Sequence, residues 1–121
     1  FLDYLARSTA NMAFSNSGSS LRDFYIHEAL IFIEHNFQND ISVEDIADVC
    51  GLNRTYFGKI FKKAIGKSPQ EFLLNYRMLK AAELLKLTRL SIRDISNAVG
   101  YANPLHFSRA FKSIYGIPPR E

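Results

Sequence analysis

The stretch GYANPLHFSRAFKSIYG (residues 100–116) repeats an earlier one. Some fifty residues before it the chain runs GLNRTYFGKIFKKAIG (residues 51–66), with the same opening Gly, a short polar turn, Phe-x-x-x-Phe-Lys and a closing Gly. A shift of 49 residues carries Ser42, Asp45, Ile46 and Gly51 onto Ser91, Asp94, Ile95 and Gly100. A shift of 50 carries Asn53, Phe57, Phe61, Lys62, Gly66, Pro69 and Glu71 onto Asn103, Phe107, Phe111, Lys112, Gly116, Pro119 and Glu121. The register changes in the turn between the Gly and the Asn. One extra residue inside a helix would rotate its buried face by about 100°, so insertions belong in loops. Eleven matches with the gap placed there predict two copies of one structural unit.

Each copy is a short helix, a Gly-containing turn and a second helix, the helix-turn-helix pattern. Helix starts are marked by Ser with an acid three residues later: Ser20/Asp23, Ser42/Asp45, Ser68/Glu71 and Ser91/Asp94. In that spacing the hydroxyl accepts a free N–H of the first turn and the acid reaches back to the cap. Pro69 and Pro104 stand at first helical positions, where a missing N–H costs nothing. Apolar residues follow at helical spacing. Ile26, Leu30, Ile33 and Phe37 line one face, and Val43, Ile46, Ala47 and Cys50 a second. Phe57, Ile60, Phe61 and Ala64 line a third, and Phe107, Ala110, Phe111 and Ile114 a fourth. The chain therefore reads as all-α, with helices near 20–36, 42–50, 53–65, 68–87, 91–99 and 103–115. A further short helix is expected over 1–13.

Composition fits a globular domain: 47% of the 121 residues are hydrophobic and 22% charged. No apolar run reaches the roughly 18 residues of a membrane span, and no secretion signal opens the chain. The single cysteine fits a reducing cytoplasm. SNSGSS (15–20) reads as a linker, so residues 1–20 are expected to be the tail of an upstream domain plus that linker. Residues 21–67 then form the first unit, 68–87 a continuous connecting helix and 88–121 the second unit. The connecting helix spans roughly 30 Å, close to the ~34 Å of one duplex turn.

Charge is divided unevenly. Residues 1–48 carry two basic residues against eight acids, a balance of −6, whereas residues 49–121 carry thirteen against four, a balance of +9. The second part invites a polyanion. Opposite the Phe stripe of the first copy lie Thr55, Lys59 and Lys62, with Arg54, Gly58 and Lys63 beside them. Leu105, Ser108, Arg109 and Lys112 hold the equivalent face of the second. Val49–Gln70 contains five basic residues and no acid, and Gly100–Arg120 three and none. A helix with one apolar face and one basic, acid-free face suits the DNA major groove, where Arg and Lys pair with guanine edges and Ser, Thr and Asn reach edges or phosphates. The same faces also fit a helical protein-interaction module with an acidic partner. Enzyme chemistry has little to build on. His27, His35 and His106 are scattered, there is no phosphate-binding Gly loop, and Cys50 lies on an apolar face as a structural thiol. No metal or cofactor is expected.

Residues 25–121 resemble the DNA-binding domain of AraC/XylS-type bacterial transcription regulators. In the second half Ile95, Gly100-Tyr101, Phe107-Ser108-Arg109, Phe111-Lys112, Gly116 and Pro119 match the family signature. Arg77, Ala81 and Leu84-Leu85 match its linker helix. The resemblance implies two helix-turn-helix units on a long helix, binding adjacent major grooves of double-stranded promoter DNA. It also implies RNA polymerase as a partner and a separate effector-binding or dimerising domain, usually upstream. By position, Arg54, Thr55, Gly58 and Lys59 in the first unit and Leu105, Ser108 and Arg109 in the second are the base-reading candidates, with Lys62 and Lys112 on phosphates. Gly58 departs from the family, which more often carries Ser or Gln there. Pro104 and Leu105 make the start of the second reading helix apolar. The family usually continues past Glu121 with an aromatic, an Arg and a terminal helix.

Overall fold

The computed structural model describes residues 17–119, with side chains described from Leu21 onward. These residues are helical throughout, joined by turns: α1 (Ser17–Asn36), α2 (Val43–Val49), α3 (Arg54–Ile65), α4 (Pro69–Leu87), α5 (Ile92–Ala98) and α6 (Pro104–Tyr115). The helix expected over 1–13 lies outside the described residues. The chain divides into two compact units, one made of residues up to Glu34 together with Ser42–Pro69, the other of His35–Ile41 together with Gln70 onward.

In the first unit α2 packs against α3. Ser42 caps α2 with a complete capping box: the Asp45 N–H donates to Ser42 Oγ (3.1 Å) and the Ser42 N–H to Asp45 Oδ2 (2.9 Å). Ile26, Ala29, Ile33, Ile46, Ala47, Phe57, Ile60 and Phe61 are buried. Phe57 and Phe61 are fully enclosed, with ring centroids 5.5 Å apart. Each such ring stabilises the fold by about 1.5–3 kcal/mol through burial alone.

The second unit follows the same plan. Ser91 accepts the Asp94 N–H at 3.1 Å to cap α5, and α5 packs on α6. Met78 and Ala81 of α4, Ile95 of α5, Val99 and Phe107 and Phe111 of α6 form its buried core. The copies keep register closely. α2 and α5 are 7 residues long and 49 apart, and α3 and α6 are 12 residues long and 50 apart.

The turns show where the additional residue sits. The Leu52 N–H donates to the Ala47 carbonyl (3.0 Å), and 49 positions on the Tyr101 N–H donates to the Ser96 carbonyl (2.9 Å). The shorter offset thus persists through Tyr101, and Ala102 is the added residue. The longer turn has its own support. Ser96 is fully buried, and its hydroxyl donates to the Tyr101 carbonyl at 2.7 Å. The first copy has Ala47 at that position.

Several expectations change. α1 begins at Ser17, so residues 17–20, read as linker, are helical, and Ser20 lies inside the helix rather than capping it. Propagating a formed helix adds one hydrogen bond per residue fixed, which carries it back through small residues of modest propensity. Ala64 and Ile114, placed on apolar faces by periodicity, are exposed in the last turns of α3 and α6. Phe37 lies past the end of α1 and joins the second unit, where its ring meets Tyr76 edge-on at 5.2 Å.

Arg77 fastens this segment within the second unit. Its Nε donates to the Phe37 carbonyl (2.9 Å), its Nη2 donates to the Asn39 carbonyl (2.8 Å), and its guanidinium lies 5.8 Å from the Tyr101 ring centroid. Burial lowers the guanidinium pKa, while Tyr101 and Asp40 act to raise it.

Candidate nucleic-acid interface

The two units each present one amphipathic helix built the same way. On α3, Asn53 caps the start by accepting the Tyr56 N–H at 2.8 Å, and the Gly66 N–H closes the end on the Lys62 carbonyl at 2.8 Å. On α6, Asn103 accepts the Leu105 N–H at 2.8 Å, Pro104 occupies the first turn, and the Gly116 N–H donates to the Lys112 carbonyl at 2.7 Å. The aromatic pairs Phe57/Phe61 and Phe107/Phe111 anchor the inner faces. That anchoring fixes what points outward.

On α3 the outward residues are Arg54, Thr55, Lys59 and Lys62, all exposed, with Gly58 half-buried among them. These five line one open concavity of about 610 Å³, together with Lys63, Ser68 and Pro69. All the charged side chains of that lining are cationic. On α6, Arg109 and Lys112 are exposed, Leu105 is 56% exposed and Ser108 is half-buried. Among the described residues none of Arg54, Lys59, Lys62, Arg109 or Lys112 is held in an ion pair; the bridge present is Lys80–Glu83, at 3.7 Å on α4. These cations therefore face solvent with their charge uncompensated by a neighbouring carboxylate.

The nine predicted residues thus fall into two sets, one on each unit. Residue spacing alone did not bring in Ser68 and Pro69, which were read as helix-start residues and also close the edge of the α3 concavity. Their signal was the uninterrupted acid-free run from Val49 to Gln70, which already includes them.

Cys50 is half-buried. Its thiol donates to the Tyr25 carbonyl at 3.3 Å, and burial, reinforced by Glu28, pushes its pKa up. A protonated thiol tied to a carbonyl is a weak nucleophile. Among the described residues no group of three or more His, Cys, Asp and Glu side chains is placed to hold a metal, and no helix is long and apolar enough to cross a membrane.

Paired helix-turn-helix units with basic outward helices define a class of nucleic-acid-binding module. Comparison with known proteins makes the class specific. A helix-turn-helix domain family model matches residues 46–121. The lactose operon transcription activator of Staphylococcus xylosus is 43% identical over 96 residues, covering 79% of this chain and 34% of that protein. The C-terminal domain of AraT, a response regulator from Geobacillus stearothermophilus, superposes with a TM-score of 0.76 at 34% identity, covering 78% of this chain and 79% of that one. An AraC-type DNA-binding domain protein from Chromobacterium violaceum superposes with a TM-score of 0.74 at 32% identity, covering 87% and 91%. The chain belongs to the AraC-type helix-turn-helix family of DNA-binding transcription regulators. It spans about a third of the length of the curated relatives it matches first.

Proposed function

We propose that this chain binds double-stranded promoter DNA sequence-specifically, with α3 and α6 in adjacent major grooves, as part of a longer cytoplasmic bacterial regulator. The observation that carries this reading is the pair of helices whose aromatic faces are buried and whose opposite faces are basic and free of acids. Phosphate contacts from Lys62 and Lys112 position the helices. Arg54, Thr55 and Lys59 on α3, and Ser108 and Arg109 on α6, meet base edges, Arg and Lys favouring guanine. Leu105, apolar and exposed, contacts a thymine methyl. An effector-binding or dimerising domain upstream and RNA polymerase at the promoter complete the regulator, and no enzymatic step is assigned to this chain.

Selection of duplexes from a randomised library, followed by titration, tests the reading. Expected are an enriched motif with two contact blocks one helical turn apart, nanomolar-range affinity and a steep loss of binding with salt. No enrichment, or equal affinity for selected and random duplexes, would overturn it and leave an acidic protein partner as the occupant of the basic faces.

A further inference from the structure

Gly58 interrupts α3 for no reason found inside the fold. A glycine in a helix interior weakens the helix relative to alanine. Interior glycines are usually kept for close packing or for a left-handed backbone. Neither applies at Gly58. Its backbone is ordinary helix, and a Cβ built there meets nothing within 4 Å. The second copy of the unit supplies an internal control. The residue 50 positions on is Ser108, in a helix of the same length with the same caps and aromatic anchors. The architecture therefore accepts a side chain at this position.

What distinguishes Gly58 is its setting. Residues 54, 58 and 62 form one i, i+4, i+8 row along the helix, so Gly58 is a gap flanked by Arg54 one turn before and Lys62 one turn after. Thr55 and Lys59 border the gap on the adjoining row. All five line the same open concavity. The missing side chain lowers the floor of a basic surface at its centre.

We propose that Gly58 is a specificity-determining notch: it lets a base-pair edge of the major groove come into van der Waals contact with the helix backbone, and so sets the depth at which Arg54, Thr55 and Lys59 meet bases. This rests on the DNA-binding reading above. A Cβ in the notch holds α3 away from the groove floor. Side chains aimed at base edges then lose contact, whereas the long lysines on the backbone still reach phosphates. The result is a loss of discrimination rather than of binding.

The test compares Gly58→Ala and Gly58→Ser with wild type in the 121-residue chain. The probes are a duplex selected by the wild-type chain from a randomised library and a random duplex of equal length. Gly58→Ala should shift the opening equilibrium of α3, read by amide hydrogen exchange, about fivefold toward the closed helix. Its affinity for the selected duplex should fall more than tenfold while its affinity for the random duplex stays within twofold. Gly58→Ser, which installs the second copy's own residue, should show the same loss of discrimination. Wild-type affinity of Gly58→Ala for the selected duplex overturns the notch. So does an equal loss on both duplexes, which would make the gap a seat for backbone phosphate. If the wild-type chain enriches no duplex at all, the DNA-binding reading itself fails, and that outcome is separate from either of these.

Discussion

Gly51 and Gly100 hold the same place in the two turns, and replacing each by alanine should have different effects. Both have positive φ, +72° and +97°. An L-residue in that region costs roughly 1–2 kcal/mol, and alanine's lower unfolded-state entropy returns about 0.4–1 kcal/mol of it. At Gly51 nothing lies within 4 Å of the new Cβ, so Gly51→Ala should cost about 1 kcal/mol. At Gly100 the Cβ would stand 2.7 Å from the Phe37 carbonyl oxygen and 3.2 Å from Arg77 Nε. The carbonyl is backbone, and it accepts the Arg77 Nε–H at 2.9 Å, so relief of the clash breaks that hydrogen bond. A hydrogen bond to a charged donor contributes about 1.5–3 kcal/mol. Gly100→Ala should therefore cost about 2.5–4 kcal/mol, adding that loss to the backbone cost shared with Gly51. Because the units need not unfold together, hydrogen exchange resolved by residue is the assay: α5 and α6 should lose protection in Gly100→Ala, and α2 and α3 in Gly51→Ala. Combining Gly100→Ala with Arg77→Ala should be clearly less than additive. Equal costs for the two single substitutions would refute the claim that the Phe37 carbonyl is fixed against Gly100.

Ser96→Ala removes the donor from the part-buried Tyr101 carbonyl and should destabilise the second unit by about 1–3 kcal/mol, measured by residue-resolved hydrogen exchange in α5 and α6. Ala47→Ser in the first copy should give no matching gain. Arg109→Ala should weaken binding to a selected duplex by roughly 1–3 kcal/mol and relax base preference at one position, whereas Lys62→Ala should weaken all duplexes alike and flatten the salt dependence. Fluorescence anisotropy against a panel of duplexes separates the two. Cys50 should be alkylated by iodoacetamide more slowly than a free thiol at mildly alkaline pH, with the rate still climbing at higher pH, because its folded pKa is raised and the thiolate forms late.

Local signals carried most of the fold. The caps at Ser42, Asn53, Ser91 and Asn103 and the four phenylalanines of the two anchor pairs are written within a few residues of what they control, so spacing alone reveals them. The outward faces followed from the buried ones. What the sequence hid depends on partners far along the chain. Phe37 continues the apolar stripe of α1, and only the position of Tyr76 shows that it serves the other unit. Arg77 matches the family's linker helix, yet its neighbours in the chain give no sign of its acceptors, which lie 38 and 40 residues away. Ser96 left a fainter trace. It differs from its counterpart Ala47 beside the one turn that gained a residue, and a longer turn carries a further carbonyl to satisfy.

The segment His35–Ile41 belongs to the second unit although helices of the first unit flank it in the chain. During synthesis this segment leaves the ribosome roughly 2–8 s before Arg77, at usual elongation rates over the 40 residues between Phe37 and Arg77. For that interval the Phe37 and Asn39 carbonyls lack their Arg77 donor, and the Asn39 carbonyl has only the nearby Ile41 N–H. The second unit is thus completed by reaching back to peptide made earlier, and a shorter product beginning at Pro69 would emerge with its clamp but without the strand of backbone the clamp holds. Supplying residues 35–41 as a separate peptide would be the way to rescue it.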